Sequence, residues 1–100
     1  MKIELHPDAE QEFLEASRYY EAQVPGLGEA FVSELEHLKN LLSRYPELGS
    51  STGNNLHRLT FPRFPYSLIY AIESKRLWVV AVAHQHRKPG YWSGRFPKDR

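Results

Sequence analysis

The apolar residues of this chain change period once, and that change restricts the folds open to it. Up to Pro46 they recur every three or four positions; after a polar stretch at residues 47–54 they alternate. Ala9, Phe13, Ala16, Tyr20 and Val24 make one stripe at helical spacing, and Leu27, Phe31, Leu35, Leu38, Leu42 and Tyr45 make a second. Pro7 stands in a first helical turn, where its missing N–H costs nothing, and Asp8 and Glu10 follow near the positive end of the dipole. Pro25-Gly26 divides the stripes and Pro46 stops the second. The pattern predicts two antiparallel helices joined by a short turn. Phe13, Tyr20, Phe31 and Tyr45 are expected in their core, with Tyr19 at its edge.

Lys2 to Leu5, with Ile3 and Leu5 in alternation, reads as a short first strand. Residues 47–54 read as a glycine-containing loop. Beyond it His57, Leu59 and Phe61 alternate with Arg58 and Thr60, and Pro62 and Pro65 bracket Arg63-Phe64 in a bend. Tyr66, Leu68, Tyr70 and Ile72 alternate in a further run, Glu73 to Arg76 make a turn, and Leu77 to Ala83 is almost wholly apolar, as in a central strand. The order β-α-α-β-β-β is an α+β layout. It predicts a helical hairpin packed on one face of a small, mostly antiparallel four-stranded sheet, with the other face partly open. Residues 1–95 are expected to form a single domain, and residues 96–100 a frayed tail.

One hundred residues suit one core and leave no room for a second. Apolar residues are only 41% of the chain, so the thirteen aromatic ones must supply much of the buried area, at roughly 1.5–3 kcal/mol per large side chain. The absence of cysteine excludes disulfides, thiolate metal sites and cysteine nucleophiles, and suits a reducing cytoplasm. The first residues lack the apolar stretch of a signal peptide, and no segment approaches the roughly 18 apolar residues of a membrane span. The expectation is a cytoplasmic protein without a membrane partner.

The net charge of +1 hides an imbalance. Residues 1–50 carry four Lys/Arg against ten acids, a net of −6, while residues 51–100 carry nine against two, a net of +7. Either the fold sets an acidic face opposite a basic one, or helix surfaces simply favour Glu and strand edges favour Arg and Lys.

Three segments carry a resemblance to a known family. They are His6-Pro7-Asp8-Ala9, Arg63-Phe64-Pro65-Tyr66-Ser67-Leu68-Ile69-Tyr70, and Val82-Ala83-His84-Gln85-His86-Arg87-Lys88-Pro89-Gly90-Tyr91-Trp92. In this order, over roughly residues 1–92, the chain resembles the RelE/ParE superfamily, toxins of type II toxin–antitoxin modules. The resemblance implies a cognate antitoxin whose C-terminal segment wraps the toxin. It also implies one of two activities: inhibition of DNA gyrase, or cleavage of messenger RNA in the ribosome. Operator DNA would be reached only through the antitoxin.

Metal-free RNA cleavage needs a group to take the 2′-OH proton, cations for the developing phosphorane charge and an acid for the leaving oxygen. His84 or His86 suits proton transfer, Arg63 and Arg87 suit bidentate phosphate binding, and Tyr91 suits base stacking or proton donation. The catalytic set, if the chain is a ribonuclease, is therefore Arg63, His84, Arg87 and Tyr91. Against each stands a structural role: His84 closing its strand, Tyr91-Trp92 folding back onto the sheet, Arg63 simply exposed in its bend. The resemblance also implies a departure, because the ribonuclease members place an arginine where this chain has Ser67, before Leu68-Ile69-Tyr70. A serine cannot neutralise a scissile phosphate. That favours the gyrase-inhibiting branch, with an inactive member working only in the antitoxin–operator complex as a third reading.

Arg58, Arg63, His86, Arg87 and Trp92 are the expected partner-binding residues, since a basic surface attracts an acidic antitoxin tail and aromatic anchors dominate interface energies. His84-Gln85-His86 offers two imidazoles but no third ligand, so no metal is expected. Ser50-Ser51-Thr52-Gly53 lacks the phosphate-loop pattern, and no cofactor is expected.

Overall fold

The computed structural model describes residues 1–95; the tail expected at 96–100 lies outside the described residues. The elements run β1 (Lys2–Leu5), α1 (Pro7–Gln23), α2 (Leu27–Arg44), β2 (Ser50–Gly53), β3 (Leu56–Thr60), β4 (Tyr66–Ile72) and β5 (Arg76–His84), with a 3-10 turn at Ser93–Arg95. They form one sheet in the order β1-β5-β4-β3-β2. β1 lies parallel to β5, from Lys2 beside Arg76 to Leu5 beside Val79, and the other pairs are antiparallel.

The α+β layout and the helical hairpin are as expected, but the sheet has five strands rather than four. The additional strand is β2, which lies inside the segment that reads as a loop. Its Ser-Ser-Thr-Gly sequence has no apolar alternation to announce it. It exists because Asn54 and Asn55, at φ 55° and 62°, make a tight two-residue turn that folds it back on β3. Positive φ at both central positions is the geometry that matches strand twist in a hairpin.

Local chemistry sets both helix entries. The His6 ring caps α1, its Nδ1 accepting from the Asp8 N–H at 2.9 Å, while the His6 N–H continues the sheet to the Val79 carbonyl at 2.8 Å. At α2, Gly26 takes φ +89°, and the Glu21 carboxylate accepts from the N–H groups of Gly26 at 2.9 Å and Gly28 at 3.0 Å. A carboxylate from the end of α1 thus satisfies the free donors at the start of α2. Val24 and Tyr45 depart from their stripes. Each is a C-cap with non-helical backbone, so its side chain leaves the helical face and stays exposed.

The helices cover one face of the sheet. Phe31 is its centre, stacked on Phe61 at 5.0 Å and touching Phe13, Tyr20, Phe64 and Tyr66. Such pairs add about 0.5–1.5 kcal/mol each beyond the area they bury. Strand β5 serves both faces through a bulge: Ile69 pairs with Ala81 and Tyr70 with Val79, leaving Val80 extra. Leu77, Val79 and Val82 therefore join the helix side, while Val80, Ala81 and Ala83 join the other.

That other face is partly open as expected, with Arg58 and Thr60 exposed, but its apolar part is covered by the chain itself. Leu56, Ile69, Ala71, Val80, Ala81 and Ala83 are buried there together with Trp92, which is 7% exposed. The chain after β5 turns back and lays its indole on the sheet, removing apolar surface that a two-layer body would leave wet.

Candidate functional site

β1 ends opposite Val79, so among the described residues no strand lies beside that edge of β5 from Val80 onward. Side chains take over. Glu12 of α1 accepts from the Val82 N–H at 3.0 Å, and Arg95 donates to the Val80 carbonyl at 3.2 Å. Arg95 also donates to Glu12 at 2.9 Å and lies 3.6 Å from Asp8. Tyr91 is packed against both arginines, its ring centre 4.0 Å from the Arg87 guanidinium and 5.1 Å from that of Arg95. This network fixes the segment after β5, including Trp92.

His84 ends β5. Its Nδ1 accepts from the His86 N–H at 3.0 Å, so the neutral ring keeps its proton on Nε2. The ring stands edge-on to Tyr66 at 5.0 Å and lies 5.3 Å from His86. His84 and Arg87 form a ridge shared by two clefts. On the helix side a cleft of about 190 Å³ is lined further by Glu12, Glu15, Ala16, Tyr19, Tyr66 and Val82. On the outer side a cleft of about 40 Å³ is lined further by Arg58, Ser67, Ala83, Gln85, Pro89 and Trp92. The first carries two carboxylates and the second none. Ser67 lies within hydrogen-bonding distance of Thr60, their hydroxyl oxygens 3.2 Å apart.

The residues singled out from sequence are only partly brought together. Arg58, His84, Arg87 and Trp92 line the outer cleft, and Tyr91 stacks on Arg87. His86 is exposed beside His84. Arg63 borders neither cleft. Both its N–H, at 3.0 Å, and its Nε, at 2.9 Å, donate to Glu34, a buried acid of α2. The Tyr91 hydroxyl is buried beside Glu12 without a hydrogen bond of good geometry. Burial first, and Glu12 second, push its pKa upward.

Three residues that organise this region escaped sequence reasoning: Glu12, Glu34 and Arg95. The two acids left a signal. Glu12 falls between Ala9, Phe13 and Ala16, and Glu34 between Phe31, Leu35 and Leu38, so each sits on a core-facing stripe where a carboxylate must have a partner. Part of the charge imbalance is spent this way, since Glu4–Arg76, Glu12–Arg95 and Glu34–Arg63 join acids of the first half to bases of the second. Arg58 keeps its charge free of any ion pair among the described residues. Among those residues no group of three or more His, Asp or Glu is placed to hold a metal ion, and no helix is long and apolar enough to cross a membrane.

Residues 3–89 match the family described as the ParE toxin of the type II toxin–antitoxin system parDE. Among solved structures, a chain of the chromosomal ParDE toxin–antitoxin system from P. aeruginosa is similar at a TM-score of 0.73 and 16% identity. The match covers 84% of this chain and 95% of that one, and at such identity it speaks for the fold. No curated protein matches the sequence.

Proposed function

This chain belongs to the ParE toxin family of type II toxin–antitoxin systems, and on that premise we propose that it acts by binding DNA gyrase rather than by cleaving RNA. A toxin of this type has an antitoxin as its partner, and operator DNA is reached through that antitoxin. The observation that carries the choice of target is the scatter of the groups an RNA-cleaving site requires. Of Arg63, His84, Arg87 and Tyr91, only His84 and Arg87 share a cleft. Arg63 borders neither cleft, and the Tyr91 hydroxyl is buried with a raised pKa, which makes it a poor proton donor near neutrality. Ser67, neutral and small, supplies no charge at the position before Leu68-Ile69-Tyr70.

Arg58, Arg87 and His86 make the exposed basic surface of the strand end, to which the antitoxin and the target both bind in this reading. Neutralisation is then occlusion: one chain covers the residues the other needs. Arg63 contributes through its exposed guanidinium, and Trp92 by holding the segment in place from beneath. Induced expression with and without the neighbouring reading frame tests the toxin reading, with growth arrest expected only without it. Purified protein added to a translating extract should leave messages intact. Cut messages in that extract would replace gyrase with the ribosome as the target, and a harmless chain in both settings would leave an inactive member working only in the antitoxin–operator complex.

A further inference from the structure

We infer that the outer cleft is a carboxylate pocket that receives one Asp or Glu side chain of the antitoxin. The inference rests on the reading of the chain as a toxin with a protein partner, and specifies the chemistry of their contact.

The cleft is built of donors without an acceptor charge. Arg58 and Arg87 stand on its walls, His84 offers Nε2–H because its Nδ1 is occupied by the His86 N–H, and Gln85 and Ser67 add neutral polar groups. No acid lines it. Arg58 has no ion pair among the described residues, and the pairing of Arg87 with Glu12 is long, at 3.9 Å. A positive charge so placed favours an anion, and a carboxylate meets a guanidinium with paired, charge-assisted hydrogen bonds.

The cleft is small, about 40 Å³, and a carboxylate head carried on a slim stem suits it. Ala83, Pro89 and Trp92 supply apolar wall for the methylene stem of Asp or Glu. Across the His84–Arg87 ridge the larger cleft holds Glu12 and Glu15, which repel an acid, so the side chain is directed to one side. Ser67 and Gln85 thereby become binding residues beside Arg58, His84 and Arg87.

The test is an amide NMR titration of the whole chain with sodium acetate, ionic strength being held constant with chloride. Saturable shifts are expected at Ser67, Ala83 and Gln85. They should vanish in Arg58→Ala and persist in Lys75→Ala, which removes the same charge from an exposed turn; a dispersed spectrum shows that each variant is folded. Shifts that grow linearly without saturating, or that vanish equally in both variants, would overturn the pocket. A stronger response at these amides to the dinucleotide uridylyl-uridine than to acetate would make it a nucleic-acid site instead. Co-expression with the neighbouring reading frame separates the pocket from the toxin reading. Failure to capture any protein partner sinks the parent reading whatever acetate does. A captured partner held equally well by Arg58→Ala sinks the pocket alone, since loss of a charge-assisted contact should weaken binding about tenfold.

Discussion

Glu12 and Arg95 meet at 2.9 Å over the stretch of β5 that β1 leaves uncovered. Each also holds a backbone group of that edge, Val82 N–H for Glu12 and Val80 C=O for Arg95. A strand edge with free donors and acceptors invites pairing with other chains, and this one is closed by two side chains instead of a neighbour.

Glu12→Ala is therefore expected to cost about 2–4 kcal/mol, because it strands the Arg95 charge and the Val82 N–H together. Glu12→Gln keeps an acceptor and should cost less. Urea unfolding measures both, and an unchanged midpoint in Glu12→Ala would show that the pair does not hold the edge.

Gly28→Ala opposes two effects of different size. Alanine gains up to about 1 kcal/mol of helix propensity over glycine. A Cβ at Gly28, however, would lie 2.5 Å from the Ser17 carbonyl oxygen and 2.8 Å from the Glu21 Cβ. Backbone oxygen cannot move aside alone, so the hairpin must open, at about 1–3 kcal/mol. Net destabilisation is the expected outcome in thermal unfolding; a higher melting temperature would mean that the helices do not approach so closely.

The Glu34–Arg63 pair should prove asymmetric. Arg63 has a side chain 69% exposed against 5% for Glu34. Arg63→Ala loses a screened ion pair and leaves the main-chain N–H still bonded to Glu34, at a cost of about 0–1 kcal/mol. Glu34→Ala releases the whole bend between β3 and β4, at about 1–3 kcal/mol. Equal losses in the two variants would contradict this arrangement.

Alkaline pH should unfold the protein. Burial raises the pKa of Tyr20, Tyr66, Tyr70 and Tyr91 above the ordinary 10.0 of the phenol. Below about pH 10 both folded and unfolded states keep the phenols neutral, so the contribution is complete; above it the unfolded state ionises first and stability falls as pH rises. Urea midpoints at about pH 8 and about pH 11 check the sign, with the lower value expected at the higher pH. A midpoint that rises would contradict it.

Much of this was legible in the chain, for physical reasons that also mark where legibility stops. The Phe13 and Phe31 stripes announce their helices because a 3.6-residue period leaves no other way to bury them together. β2 was illegible because its stability lies in pairing with β3, although Asn54-Asn55 was a turn signal. The bulge at Val80 lies hidden in an all-apolar run that reads the same in either phase. The site divides along the same line. His84 and Arg87 were visible because a strand end presents side chains at a defined place. Glu12 and Arg95 were not, because their meeting depends on how α1 crosses β5, which no local pattern encodes.

The most direct measurement is DNA supercoiling by purified gyrase in the presence of the purified chain. Inhibition is expected at concentrations comparable to the enzyme, relieved by the product of the neighbouring reading frame. Supercoiling that proceeds unimpeded while the same preparation cuts messenger RNA on ribosomes would contradict the account.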